Sequence, residues 1–304
     1  MALTRRVVAV VGPTATGKSA LAIELARALG GEVVNADSMQ LYRGMDIGTA
    51  KVTAAEREQV RHHLLDIWPV TYPASVAEYQ QRARAVIDEL HARGVVPVLV
   101  GGSGLYVRAA LDHIEFPGTD PGLRSALETE LAAVGSVALH ERLAERDPAA
   151  AAAILPTNGR RIVRALEVVE LTGRPFTAAL PSYEAVYDVV QMGLDLDDAV
   201  LDLQVDVRVG RMFAAGFVAE VEALVGEGLR AGRTASRALG YQQVLAMLDG
   251  VIDEAQAIAT TAMATRRFVR RQRSWFRRDP RIRWLDAGTP DLPALALALA
   301  GAEN

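Results

Sequence analysis

The 304-residue chain contains no cysteine. Disulfides, thiol nucleophiles and cysteine-ligated zinc or iron–sulfur centres are therefore excluded, and the chemistry must use oxygen, nitrogen and magnesium. Long apolar runs are also missing. None approaches the roughly 20 residues that span a bilayer, and Gly12 cuts short the first apolar stretch, so residues 1–11 read as a strand lead-in and not as a signal peptide. Lysine is nearly absent: Lys18 and Lys51 are the only two, so almost all positive charge is arginine. Half the chain is nevertheless hydrophobic, enough for a sizeable core built mainly of aliphatic side chains. These features predict a soluble cytoplasmic protein with no membrane association.

The net charge of −4 conceals a local excess. The segment 266–283, RRFVRRQRSWFRRDPRIR, holds nine arginines against Asp279 alone, giving it about +8 and the remainder about −12. Such a block is the footprint of a polyanion partner, with Phe268, Trp275 and Phe276 interleaved. A helix that docks its aromatics and solvates its arginines fits the same residues, since Phe268, Arg271 or Gln272, and Trp275 share one face. Both readings are compatible. On the polyanion reading, substitution of Arg270, Arg271 and Arg273 weakens binding and flattens its salt dependence.

Strands alternate with helices along most of the chain, the pattern of a parallel sheet covered on both faces. Val7–Val11 is a strand, Lys18–Leu29 a helix closed by Gly30 and Gly31, and GEVVNADS a second strand that delivers Asn35, Asp37 and Ser38 at its carboxyl end. Ser75 caps a helix running to about His91. VVPVLVGGSGLYV is a buried strand, a glycine-rich turn and another helix, in which Pro97 is out of place. From about Pro117 to Phe176 only short helices follow, with no strand candidate. Strand character returns at Tyr187–Leu196, and the chain is then helical through Arg278, with a small closing element or frayed tail after Asp286. The reading is a P-loop NTPase-like parallel-sheet core (1–116 and 184–304) carrying the basic helix, with an all-helical subdomain inserted at 117–183.

Gly12, Pro13, Thr14, Ala15, Thr16, Gly17, Lys18 and Ser19 fit G-x-x-x-x-G-K-[ST], between a strand and a helix as that motif requires. Loop amides and the helix amino end face an anion, Lys18 adds charge, and Ser19 is the expected Mg²⁺ ligand. A nucleotide hydrolase also needs an acid at the end of a central strand, but VLVGGSG offers glycine and serine there, which disfavours ATP hydrolysis. Asp37 lies beside the loop instead. It is placed either to accept a proton from a nucleophile approaching the phosphate or simply to cap a turn.

The motifs GPTATGKS, NADSMQLYRGMDIGTAK, HHLLDI, LVGGSGLYVRAAL, DPGLR, RRIVRALEV, TGRPF, RMFAAGFVAEV and RALGYQQ follow in this order, over roughly residues 5 to 286. In this series the chain resembles the bacterial tRNA dimethylallyltransferases, also called tRNA isopentenyltransferases. The resemblance implies that the phosphate loop holds the diphosphate of dimethylallyl diphosphate, and that N6 of the adenosine 3′-adjacent to the anticodon attacks its allylic carbon. On that basis Asp37 is the general base, Ser103 and Arg208 are catalytic, and Mg²⁺ is the cofactor. Asp37, Ser38, Met39, Gln40, Ser103, Arg124, Arg160, Arg161, Arg164, Arg237, Gly240, Tyr241 and Gln242 meet the anticodon stem-loop, the arginines of the insertion included. A monomer is expected.

The chain departs from the family pattern in places. Thr157 and Asn158 stand where the family usually shows Asn-Asp, leaving a helix cap by Asn158. Ser103 replaces a common threonine and keeps the hydroxyl. Gln204 stands where arginine is frequent, which removes a second cation. His62 and His63, being adjacent, are read as structural and not as a metal pair. Two other classes stay open at this level: a small-molecule phosphotransferase, and a nucleic-acid-binding regulator with the phosphate loop as its switch.

Overall fold

The computed structural model describes residues 6–176 and 182–301. All six residues of Arg6–Val11 are buried, as a strand covered on both faces must be. This strand, β1, is joined in one parallel sheet by β2 (Gly31–Asn35), β3 (His62–His63), β4 (Val96–Gly101), β5 (Asp188–Asp195) and β6 (Ile282–Asp286), in spatial order β3-β2-β4-β1-β5-β6. Val11 lies opposite both Gly101 and Gly193, and Asn35 opposite Val100. The carboxyl ends of β1, β2 and β4 therefore finish side by side. The chain passes from β1 to β2 across the place β4 fills and later turns to β5 on the other side, and such a reversal opens a crevice at the strand ends. Pro97 is accommodated because β4 begins pairing with β1 only at Val98.

Helices α1 (Lys18–Leu29), α2 (Ala54–Gln59), α3 (Val76–Ala92) and α4 (Gly104–Leu111) connect or flank the first four strands. Gly30 ends α1 at φ 62°, and the Ser75 hydroxyl caps α3 by accepting from the Glu78 N–H at 3.1 Å, as the sequence predicts. Helices α5 (Pro121–Arg146), α6 (Pro148–Ala153) and α7 (Gly159–Thr172) follow, with α5 broken at Gly135. Asn158 caps α7, its Oδ1 accepting from Arg161 N–H at 3.3 Å. After β5 come α8 (Asp198–Ala214), α9 (Phe217–Gly226), α10 (Tyr241–Leu248), α11 (Glu254–Phe276) and, beyond β6, α12 (Leu292–Gly301).

The chain divides into two compact units, Met1–Asp112 with Ala185–Asn304, and His113–Glu184. The first is built around the sheet, with Val8, Val10, Leu25, Val98 and Met192 in its core. The second has a separate core of Leu127, Leu139, Leu143, Ile162 and Leu166 between its helices. Among the described residues, no helix is long and apolar enough to cross a membrane.

The arginine block differs from its sequence reading in three respects. Its helix ends at Phe276, and Ile282–Asp286 is a strand on the sheet edge beside β5. The face of α11 that docks carries Val269, Gln272 and Phe276; of the expected Phe268, Arg271 or Gln272, and Trp275, Gln272 lies on it, and Val269 and Phe276 replace Phe268 and Trp275. Much of the charge is also compensated within the fold. Asp198, Asp202 and Asp206 recur every four residues on α8; Arg273 pairs with Asp198, Arg270 with Asp202 at 2.9 Å, and Arg266 with Asp206. Arg273 and Arg277 also reach Asp195, at 2.7 and 3.0 Å. The expectation that Arg270 and Arg273 serve a polyanion is corrected accordingly, because a guanidinium already facing a carboxylate has little charge left to offer. Arg267, Arg271 and Arg278 are exposed and face no carboxylate among the described residues.

Candidate active site

The phosphate loop leaves β1 at Gly12, where φ is 128° and a Cβ would stand 2.4 Å from the Leu194 carbonyl oxygen, so only glycine fits. Ala15 and Gly17 also take positive φ, 67° and 81°, which coils the loop before α1 begins at Lys18. The Thr16 hydroxyl and the Lys18 ammonium both donate to the Pro13 carbonyl. Burial and, after it, the Arg208 cation lower the Lys18 pKa from 10.5 to about 7, with the negative charge of Asp37 opposing both. Arg208, on α8, is likewise lowered by burial and sustained by Asp37. Its Nη2 donates to the Thr49 carbonyl at 3.3 Å. Ser19 is half-buried, and among the described residues its hydroxyl has no hydrogen-bond partner.

Asp37 is held by the end of β2. Buried Asn35 accepts the Asp37 N–H at 2.9 Å and donates to the Asp37 and Leu64 carbonyls, each at 3.0 Å. Asp37 Oδ1 accepts from the Met39 N–H at 2.9 Å, a turn cap, while Oδ2 has no donor among the described residues. The turn-cap reading of Asp37 is thus met through Oδ1. Ser103, past the end of β4, accepts the Ser38 N–H at 3.1 Å, which joins the β2 and β4 loops. Gln40 turns inward and donates to the Thr49 carbonyl at 3.2 Å.

A cleft of about 1040 Å³ opens beside the loop, with Ala15 and Gly17 at one side, Ile47 and Val52 at another, and Val207 and Arg208 along α8. Its lining is mostly apolar, and Gln204 is part of it. Lys51 is buried below, donating to Asp46 and Asp66 at 2.6 Å each and to the Tyr42 carbonyl at 2.8 Å. The chain's second lysine therefore braces the cleft wall. Glu220 on α9 braces the same wall through the 46–48 segment. Its carboxylate accepts the N–H groups of Asp46, Ile47 and Gly48 at 3.0, 2.6 and 3.1 Å and the Tyr241 hydroxyl at 2.6 Å. Replacing Glu220 by Gln leaves several of these donors unpaired and should cost about 1–3 kcal/mol, towards the lower end because the site is half-exposed, read as a lowered melting temperature.

The remaining expected RNA-contacting residues fall into two groups. Gly240, Tyr241 and Gln242 open α10, Gly240 at φ 88°, with Arg237 exposed just before it. Tyr241 departs from expectation: it is fully buried, and its hydroxyl is committed to Glu220, so it supports the loop instead of meeting RNA. Gln242 is exposed and donates to the Arg237 carbonyl. In the helical unit, Arg160 and Arg161 are exposed at the start of α7. Arg124 and Arg164 both lie on Glu167, a fully buried carboxylate whose pKa burial raises and these two guanidinium groups bring below its ordinary value. His62 bonds the Val60 carbonyl at 2.7 Å and His63 the Glu32 carboxylate at 2.5 Å. Among the described residues there is no cluster of three acids or histidines able to hold a metal alone.

Sequence reasoning missed Glu220 and Gln272. The second had a signal, as a long uncharged amide at helical spacing with Val269 and Phe276 inside the arginine block.

The sequence model of the IPP transferase family matches residues 40–279. The chain belongs to that family. It is 69% identical over 291 residues to the tRNA dimethylallyltransferase of Salinispora arenicola, covering 96% of this chain and 85% of that relative. The crystal structure of the full-length tRNA isopentenylpyrophosphate transferase of Bacillus halodurans is similar at 40% identity and TM-score 0.72, covering 97% of this chain and 94% of that one. A eukaryotic dimethylallyltransferase acting on tRNA shares the fold at TM-score 0.80 and 24% identity, covering 97% and 78%. The P-loop-like parallel sheet is thus a property of the family.

Proposed function

We propose that this protein transfers a dimethylallyl group from dimethylallyl diphosphate to N6 of the adenosine 3′-adjacent to the anticodon in tRNA, releasing diphosphate. The observation that carries this reading is the juxtaposition of Asp37 with the Lys18 and Arg208 cations at the ends of β1 and β2, where β4 supplies no acid for nucleotide hydrolysis. A C–N bond forms at the allylic carbon as its C–O bond breaks; the departing electrons stay with the diphosphate, and the N6 proton passes to Asp37 Oδ2. Lys18, Arg208 and the free loop amides receive the growing negative charge, and the apolar cleft wall suits the isoprenoid. Ser103 orients the Asp37 side through Ser38. Mg²⁺, when bound, neutralises diphosphate charge, and the unpartnered Ser19 hydroxyl is the protein group that fits it. Since an N6 amine within a base stack cannot reach this crevice, the adenosine must be extruded, at a cost of a few kcal/mol.

The arginines and Gln242 provide backbone and base-edge contacts for tRNA. The test is incubation of unmodified tRNA with dimethylallyl diphosphate and Mg²⁺, without ATP, followed by nucleoside mass analysis. Prenylated adenosine is expected, and its absence, or ATP turnover on a small acceptor, refutes the proposal. On α11 the RNA share of the charge falls to Arg267, Arg271 and Arg278. Replacing these three by Ala should flatten the salt slope of tRNA binding by about 2–3, whereas neutralising a compensated pair together, Arg270→Gln with Asp202→Asn, should change it by less than about 1. Equal effects would return the whole helix to packing.

A further inference from the structure

Gln272 is 5% exposed on the docked face of an otherwise arginine-rich helix. Its Oε1 accepts the Thr14 N–H at 2.9 Å, and its Nε2 donates to the Gly102 carbonyl at 2.8 Å. Thr14 lies within the phosphate loop, and Gly102 precedes Ser103, the residue joined to Ser38 beside Asp37. The amide must keep one orientation, since the reverse would set its carbonyl against the Gly102 oxygen and its NH₂ against the Thr14 N–H. The surroundings are fitted to it. A Cβ at Gly102 would stand 2.2 Å from Gln272 Nε2, and one at Gly104 would stand 2.1 Å from the Trp275 ring. Gly102 and Gly104 therefore stand where α11 approaches closely, whereas a Cβ at Gly101 would stand 2.4 Å from the Ala36 backbone. One loop amide is also withdrawn from the anion, because Thr14 N–H points at Gln272.

We infer that Gln272 is a positioning residue, holding the phosphate loop and the Gly102–Ser103 turn in fixed register so that the anion cradle and the Asp37 side of the crevice are set by the seating of the basic helix. The inference rests on the proposed function only in taking the cradle's anion as diphosphate. Gln272 touches no reacting atom. It acts through Thr14 and Ser103, and it links the helix that carries exposed arginines to the place where the leaving group is received. Loss of the Thr14 and Gly102 bonds lets the two loops shift independently, and small displacements of a positioned group are costly in rate.

The test uses the full chain with Gln272→Leu and the isosteric Gln272→Glu, which keeps an acceptor for Thr14 but sets a carboxylate oxygen against the Gly102 carbonyl. Three readouts apply: calorimetric binding of inorganic diphosphate, amide hydrogen exchange in peptides containing Thr14 and Ser103, and steady-state kinetics. Both variants should bind inorganic diphosphate about tenfold more weakly and exchange faster in both peptides, with kcat lower by about tenfold or more and the KM for tRNA within about twofold. A residue that merely packs α11 would lower the melting temperature while leaving diphosphate affinity and loop exchange of the folded protein unchanged. That result in Gln272→Leu, which adds no charge beside the anion, overturns the inference. Wild-type protein that binds inorganic diphosphate yet prenylates no tRNA would refute the proposed function and leave this comparison in force, since affinity and exchange need no turnover.

Discussion

Asp37→Ala is expected to lower the single-turnover rate of prenyl transfer by about 10²–10⁴-fold, the usual range for loss of a general base. The affinity for tRNA should stay within about threefold, because the lost carboxylate acts on a proton in flight and carries little of the binding. The fold should tolerate the change. Asn35, not Asp37, makes the buried hydrogen bonds that shape the end of β2, and the Asp37 side chain contributes one half-exposed cap to Met39 N–H. Asp37→Asn separates the two functions of this side chain, since the amide oxygen still caps the turn but does not serve as a base. Near-wild-type transfer by either variant would remove Asp37 from the mechanism. A large loss in Ala with recovery in Asn would return it to turn capping.

Lys18→Ala should lower kcat/KM for dimethylallyl diphosphate by about 10²–10³-fold, the order seen when one preorganised donor to developing negative charge is removed. Lys18→Arg is not a conservative alternative, because a planar fork does not fit a loop closed on a compact ammonium. The lowered pKa adds a test that leaves the residue in place. With the cradle empty, Lys18 titrates at about 7 because burial and Arg208 disfavour its charge. Between pH 7 and 10.5 the unfolded chain holds a proton the native state lacks, so this group makes the empty protein more stable as pH rises across that window. A bound diphosphate reverses the preference. Binding at pH 8.5 should take up about one proton, visible as a dependence of calorimetric enthalpy on the ionisation enthalpy of the buffer, and affinity should weaken as pH rises above 7. Proton uptake near zero at pH 8.5, or uptake that persists in Lys18→Ala, would dissociate this lysine from the anion.

The cradle was legible because its parts are contiguous. Strand, glycine-rich loop, lysine and helix occupy Arg6–Leu29, and Gly12 and Gly17 stand at positions whose backbone φ is positive. Asp37 was legible for a related reason, as a polar residue leaving a buried strand. The cleft's braces were not. Lys51 meets Asp66, and Glu220 meets Gly48, across separations of 15 and 172 residues, and no local pattern says which carboxylate will answer which donor. Tyr241 illustrates the opposite error. Its place in RALGYQQ suggested contact with RNA, whereas its side chain is buried against Phe217 and bonded to Glu220. In the arginine block, the sequence shows nine positive charges but not the acids of α8 that meet three of them.

By itself the sequence determined the alternation of buried strands with capped helices and the phosphate-binding loop, both consequences of residue type at short spacing, and its series of motifs carried the resemblance to the family. Only the tertiary structure decided which arginines remain uncompensated, which residues brace the cleft, and that Gln272 ties the phosphate loop to the serine turn. The physical reason is that a hydrogen bond or ion pair depends on the position of both partners, and this fold brings together residues far apart in the chain, Thr14 and Gln272 by 258 positions.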